Sequence, residues 1–278
     1  MQWSVGVISA PRGIETVQQT VDSIRGALLN VPVMVFREPC EYFDVTGCQA
    51  IRRPGTISQT KMPSSPQGVF GNFGNWIQSA RDILLYDEGK MSAIMMCEDD
   101  ILITPAIRDL LESHLWPASD CGVISLYSPG LSQYRSNMNG LVRTAVKYKD
   151  PMTSVGNMVG ALALVFHPDV LRALVTHPSI ETWKGSHYQN KQAHLDPWER
   201  KAVDTWIGRT LLALGYSIWH FSPSLVKHNM PSADNSSLGH GAANRIRSAY
   251  KWAGCSERAL SIYPPAGRTY ENIHPHPV

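Results

Sequence analysis

Three adjacent acidic residues, Glu98, Asp99 and Asp100, are the group in this sequence best suited to chemistry. They directly follow residues 93–97, an apolar run with the length and composition of a buried strand. Adjacent carboxylates repel one another, so a cation or several hydrogen-bond donors must offset the repulsion if the group is buried. Carboxylate oxygens suit Mg²⁺ or Mn²⁺, which commonly bind substrate phosphates as well. The motif therefore predicts a metal–phosphate site, with a solvated acidic turn as the alternative.

The geometry of an extended chain predicts how this motif divides. Alternate side chains of an extended segment point to the same face. We therefore expect Glu98 and Asp100 to lie together, and we expect Asp99 to point the opposite way.

The elements before the motif predict a parallel sheet. Residues 3–9 have the pattern of a buried strand, residues 14–28 carry apolar side chains at steps of three and four, and residues 33–36 form a second apolar run. This β-α-β order, with strands of the fully buried type, implies a parallel sheet covered on both faces. The carboxyl ends of such strands line the ligand crevice, and the acidic motif falls at one of these ends.

The rest of the chain continues the mixed pattern of strands and helices. Residues 39–70 lack periodicity and are rich in Pro, Gly and Ser, which is typical of a long functional loop. The further predicted elements are a helix after residues 71–74, a strand at 101–103, a helix opened by Thr104 and Pro105, strands at 123–126 and 160–166, a helix at 168–175, a helix from Asp196 to Gly215 and a strand at 216–219.

Composition bounds the class of protein. The chain has 278 residues, of which 43% are hydrophobic and 17% are charged, and this excludes a disordered or fibrous chain. Lys and Arg number 25 against 23 Asp and Glu, so the net charge of +2 indicates no partner by itself. We find no signal-peptide pattern, no run long enough to span a membrane, and no CxxC spacing among the five cysteines. These features predict a cytoplasmic protein with reduced thiols.

Four motifs in chain order resemble those of glycosyltransferases of the GT-A fold, which use nucleotide-sugar donors. The acidic triplet is similar to the EDD form of the family's DxD-type motif, and the resemblance extends over about residues 3–230. The other three motifs are the glycine-bearing loop Gly156-Asn157-Met158-Val159-Gly160-Ala161, Asp204 near the start of a helix, and His228 after the last core strand.

The resemblance implies an α/β fold of GT-A type, with a Rossmann-like, mostly parallel central sheet flanked by helices. The chain would form one domain, with a donor half at about 1–128 and an acceptor half at about 129–278. The implied activity is that of a hexosyl- or pentosyltransferase, which moves a sugar from a UDP- or GDP-sugar to an acceptor hydroxyl. The acceptor is unknown.

The resemblance also implies a metal-dependent mechanism. Mn²⁺ or Mg²⁺ would neutralise the diphosphate leaving group as a Lewis acid. Asp100 would be the main protein ligand and His228 would complete the coordination sphere. Glu98 would bind the ion through water or contact the donor sugar. His240, between two glycines, is a weaker candidate ligand.

Asp204 is the candidate base of an inverting reaction, in which a carboxylate removes the proton of the acceptor hydroxyl. Val203 stands where the family commonly has Glu, and Asp196 and Glu199 are rival bases. A retaining reaction would need no such base. We expect inversion.

Further residues are candidates for binding the two substrates. The donor-binding candidates are Pro11 and Arg12 after the first strand, Glu38 after the second, Asn72 and Asn75 at a helix start that favours phosphate, and Glu98 and Asp99 of the acidic motif. The acceptor-side candidates are Gly160, Ala161, Trp198 and Trp206.

A basic segment near residues 244–252 leaves a nucleic-acid partner open. Arg245, Arg247 and Lys251 are interleaved with aromatic residues, and phosphates bind such cations while bases stack on such rings. The alternative functions are a DNA-modifying glycosyltransferase of phage type acting on hydroxymethylated bases, a nucleotidyltransferase, and a non-catalytic carbohydrate- or nucleic-acid-binding module.

Overall fold

The fold is organised around the first strand, in which all seven residues from Trp3 to Ser9 are buried. The computed structural model describes residues 1–9, 15–38, 44–52, 71–87, 89–128, 140–144, 158, 160–183, 203–229 and 252. In chain order these residues form ten strands and six helices: β1 (Trp3–Ser9), α1 (Val17–Ala27), β2 (Val33–Arg37), β3 (Gln49–Arg52), α2 (Gly71–Asp87), β4 (Ala93–Glu98), β5 (Ile101–Ile103), α3 (Arg108–His114), β6 (Cys121–Ser125), β7 (Gly140–Arg143), β8 (Ala163–Phe166), α4 (Pro168–Thr176), α5 (Ser179–Thr182), α6 (Val203–Ala213), β9 (Ser217–Ser222) and β10 (Val226–His228).

Eight of these strands form one sheet in the order β3-β2-β1-β4-β8-β6-β9-β7. The pairs among β3, β2, β1 and β4 are parallel, as is the pair β6–β9. Only β8 and β7 pair antiparallel with their neighbours in this sheet. A mostly parallel α/β sheet is therefore confirmed, and it is consistent with the GT-A type. The strands β6, β8 and β9 follow the acidic motif in the chain, so one sheet joins both parts of the sequence.

Two apolar layers cover the two faces of the sheet. Val5 and Val7 of β1 pack in the layer that α1 and α3 complete, whereas Ile8 packs in the layer that α2, α4 and α6 complete. Because both faces are covered, the central strands are buried along almost their whole length and mostly apolar, and the polar residues that they contain, such as Ser4 and Ser9 of β1, are buried as well. None of the helices within the described residues has both the length and the apolar character that a membrane crossing requires.

Two predicted helix starts differ from the structure: α2 begins at Gly71 rather than after residue 74, and the start of α3 was wrong. The sequence places it at Thr104 and Pro105, whereas α3 begins at Arg108. The N–H groups of Ala106 and Ile107 donate to the carbonyls of residues 26 and 27, at 2.8 and 3.2 Å, at the end of α1. These bonds satisfy the last carbonyls of α1 and hold Ala106 at a φ of 51°, outside the helical region. A tertiary contact thus delays the helix by about one turn.

His220 of β9 provides a test of how well the interior of the sheet excludes water. It is 1% exposed, and its Nδ1 lies 2.8 Å from the Thr144 hydroxyl. Burial lowers the pKa of His220 from its ordinary 6.5 to about 4. Between these values the unfolded chain binds a proton that the folded chain does not, so the free energy of unfolding falls as the pH falls.

We expect His220→Gln to reduce this acid sensitivity. Between these two pKa values, the free energy of unfolding of the wild-type protein should fall by up to about 1.4 kcal/mol more per pH unit than that of the variant. Above pH 7 the free energies of unfolding of the two proteins should change with pH in the same way. Urea unfolding at several pH values measures both slopes. Equal slopes would show that His220 takes up its proton in the folded protein as easily as in the unfolded chain.

Candidate metal centre

The acidic triplet lies where β4 leaves the main sheet. Glu98 is the last residue of β4, and its N–H donates to the carbonyl of Leu162 (2.9 Å). After Asp99 and Asp100 the chain enters β5, which pairs antiparallel with β10 in a separate two-stranded ribbon. In this ribbon His228 lies opposite Ile101, the residue that follows the triplet. Strand pairing therefore brings His228 to the acidic motif.

Glu98, Asp100 and His228 form one cluster. One ligand atom from each lies within 4.8 Å of the other two. The His228 Nδ1 is 3.7 Å from Asp100 Oδ2, too far for a hydrogen bond, and the two side chains are 11% and 6% exposed. The cluster holds the outer two residues of the triplet and not Asp99, which agrees with the alternation expected of an extended segment.

The chemistry of the cluster fits a divalent cation. Two carboxylates and one imidazole supply oxygen and nitrogen ligands, and the small number of protein ligands leaves room for water or phosphate oxygens. The Nδ1 of His228 is buried, yet it makes no hydrogen bond to any residue that the structure describes. A buried nitrogen beside two carboxylates is an atom that a bound ion would satisfy.

Hydrogen bonds to main-chain groups and one contact between rings hold the centre from several sides. The N–H of Asn229 donates to the carbonyl of Asp100 (2.6 Å), and the ring of Tyr127 meets that of His228 edge-on, with 5.8 Å between centroids. From the helix side, the hydroxyls of Thr16 and Thr20 donate to the carbonyl of Asp99 at 2.9 and 2.8 Å. The turn that carries the ligands is therefore fixed through its backbone.

The second and third motifs, Gly160 and Asp204, are in direct contact with each other. The carboxylate of Asp204 accepts the N–H of Gly160 (2.8 Å) and that of Thr205 (2.7 Å). Gly160 has a φ of 82°, and a Cβ there would lie 3.0 Å from the ring of Tyr127. Glycine is thus required both by the backbone conformation and by the close ring. Asp204 is oriented by two backbone donors, and its role as a base stays a prediction.

Two donor-binding candidates lie at the carboxyl ends of β1 and β2. Glu38 is 3% exposed, and its N–H donates to the carbonyl of Ser9 (3.1 Å). Asn75, 1% exposed, places its amide nitrogen 3.4 Å from the carbonyls of Ser9 and Phe36. In this structure Asn75 therefore connects the ends of two strands. Whether either residue binds a donor stays a prediction.

The acceptor-side candidates divide. Gly160 and Ala161 belong to the segment that leads into β8, and the next residue, Leu162, accepts the N–H of Glu98. Trp206 is 1% exposed and packs against Phe73 and Trp76 at centroid distances of 5.3 and 6.3 Å. Its ring lies inside the core, so the structure gives it a packing role and leaves no ring face for a sugar.

Several candidates lie outside the described residues. These are Pro11, Arg12, His240, the rival bases Asp196 and Glu199, Trp198, the side chain of Asn72, and the basic residues Arg245, Arg247 and Lys251.

Sequence reasoning missed two features at the ends of α1, β2 and β4. One is the ion pair between Glu15 and Arg37, whose atoms are 2.5 Å apart and whose Arg37 side chain is 2% exposed. The other is the set of α1 hydroxyls that hold the acidic turn. Thr20 is fully buried between the apolar residues Val17 and Val21, and a hydroxyl on the apolar face of a helix is the signal that could have drawn attention to it.

Comparisons with known proteins add little to this geometry. Neither a protein-family model nor a curated protein sequence matches the chain. Among solved structures that match is the apo crystal structure of mouse xyloside xylosyltransferase 1, with a TM-score of 0.36 and 9% sequence identity. The match covers 77% of this chain and 82% of that one. At this level of similarity no argument about function follows from it.

Asp204→Asn tests how strongly the carboxylate ties α6 to Gly160. An amide offers only one acceptor oxygen, so one of the two backbone N–H groups would face an NH₂ group instead. We expect a loss of about 1–3 kcal/mol in the free energy of unfolding, measured with urea.

Asp169→Asn is the matched control, because Asp169 also lies in the first turn of a helix but is 49% exposed. It should cost less than about 1 kcal/mol. Equal losses in the two variants would mean that the Asp204 contacts contribute no more than an ordinary surface charge.

Proposed function

We propose that this protein is a metal-dependent glycosyltransferase of GT-A type. It moves a sugar from a nucleoside-diphosphate sugar to an acceptor hydroxyl, with inversion at the anomeric carbon. The observation that carries the proposal is the cluster of Glu98, Asp100 and His228 at the carboxyl end of a central strand in a mostly parallel sheet. In open α/β sheets this edge is where ligands bind.

In this proposal Asp100 and His228 hold Mn²⁺ or Mg²⁺, and Glu98 holds it through water or contacts the donor sugar. The bound ion supplies Lewis-acid stabilisation of the charge that develops on the diphosphate. The low exposure of Asp100 and His228 supports this role, because a water-poor surrounding strengthens the attraction between the carboxylate and a cation.

The proton of the acceptor hydroxyl passes to Asp204. Its two oxygens accept the N–H groups of Gly160 and Thr205, and these two hydrogen bonds hold the carboxylate in one orientation. Leu162, two residues after Gly160, accepts the N–H of Glu98, which supports a position for Asp204 on the same side of the sheet as the acidic cluster. Residues 1–128 bind the donor in this proposal, and residues 129–278 bind the acceptor.

Asp100→Asn tests the proposal directly. The wild-type protein should hydrolyse at least one member of a panel of UDP- and GDP-sugars in the presence of Mn²⁺, and EDTA should stop the reaction. We expect the variant to be at least about 100-fold slower, because a ligand to the ion is lost. Release of nucleoside diphosphate measures the rate.

Asp109→Asn is the control, an exposed acidic residue nine positions further along the chain. It should retain the wild-type rate. Nucleotide or sugar binding that is equally strong without metal, and unchanged in Asp100→Asn, would contradict the proposal and favour a non-catalytic binding module.

A further inference from the structure

Helix α1 occupies the edge of β5 that faces away from β10. The N–H of Ile103 donates to the Ser23 hydroxyl (2.6 Å), and the Ser23 hydroxyl donates to the carbonyl of Ile103 (3.3 Å). One turn earlier in α1, the Thr20 hydroxyl accepts the N–H of Ile101 (3.1 Å). Each hydroxyl therefore contacts the backbone of a strand residue as a neighbouring strand would.

Toward the acidic turn these contacts concentrate on a single carbonyl. The hydroxyls of Thr16 and Thr20 both lie within hydrogen-bond distance of the carbonyl of Asp99, at 2.9 and 2.8 Å. The Thr20 hydroxyl has one proton to donate, and the carbonyl of Ile101, at 3.1 Å, is its more distant second acceptor. That carbonyl belongs to the peptide group that joins Asp99 to Asp100, and a peptide group is planar. Fixing its oxygen fixes the plane from which the Asp100 side chain departs.

Both threonines make these contacts in place of the local bonds usual for their positions. Thr16 is the N-cap of α1, where a threonine hydroxyl ordinarily accepts an N–H of the first turn, yet it makes no such bond. Thr20 lies inside the helix, where a threonine hydroxyl commonly bonds the carbonyl four residues back. Their side chains are buried, with residue exposures of 1% and 0%, so water could not replace either hydroxyl.

We infer that Thr20 is a positioning residue for the metal centre, acting through the Asp99–Asp100 peptide group rather than by contact with the ion. This inference rests on the metal site of the proposed function. Thr20 contacts both the carbonyl before Asp100 and the N–H of the residue after it, whereas the contact of Thr16 is to the carbonyl. The loss of its hydroxyl should let the turn relax and spread the ligand atoms.

Titration with Mn²⁺ alone, followed by electron paramagnetic resonance, separates positioning from stability. Thr20→Val keeps the branched shape of the side chain and removes the hydroxyl, and we expect about 10-fold weaker Mn²⁺ binding. Thr20→Ser restores the hydroxyl and should bind within about twofold of the wild-type protein.

Ser23→Ala is the matched control, because it removes the same kind of bonds one turn away from the ligands. It should lower stability toward urea, as Thr20→Val does, and leave Mn²⁺ affinity within about twofold of wild type. If Ser23→Ala weakened Mn²⁺ binding as much as Thr20→Val does, the inference would be overturned, because loss of stability alone would then explain both results.

Two further outcomes are distinct. If the wild-type protein binds Mn²⁺ and Thr20→Val binds it equally well, the positioning role is wrong and the proposed function stands. If the wild-type protein binds no Mn²⁺, the metal site is wrong and this inference falls with it.

Discussion

The arrangement of this molecule depends on which groups hydrogen-bond the backbone of β5, directly after the point where β4 ends. The strand β5 has β10 on one edge and needs hydrogen-bond partners on the other, because its backbone is buried. Hydroxyls of α1 provide them. In this way the first helix is joined by hydrogen bonds to the turn that carries Asp100, one of the candidate metal ligands.

Residues from distant parts of the chain reach this turn through strand pairing. The ribbon of β5 and β10 brings in His228, while β8, which lies antiparallel beside β4, brings the segment of Gly160 and with it Asp204. The single antiparallel strand in the middle of the sheet thus connects the acidic turn to the start of α6. The two strand pairings are made by main-chain groups on both sides, whereas Asp204 reaches Gly160 through its side-chain carboxylate.

The sequence predicted what depends on local pattern. The strands β4 and β5 follow from apolar runs, and the pairing of Glu98 with Asp100 follows from the two-residue period of an extended chain. What it missed depends on distant partners. The delayed start of α3 results from carbonyls of α1, and the short strand β10, which brings His228 to the centre, forms by pairing with the distant β5. The Thr20 contacts join residues about 80 positions apart, and no short window of sequence contains both.

The separation of Asp100 and His228, 228 − 100 = 128 positions, has a consequence for assembly. Closing so long a loop costs conformational entropy, and the two groups meet only after β10 has paired with β5. An ion held between them would bind the folded chain and not the unfolded one. Metal concentration would then add to the stability of the chain by mass action, so the ribbon of β5 and β10 would be held most firmly when the cation is abundant.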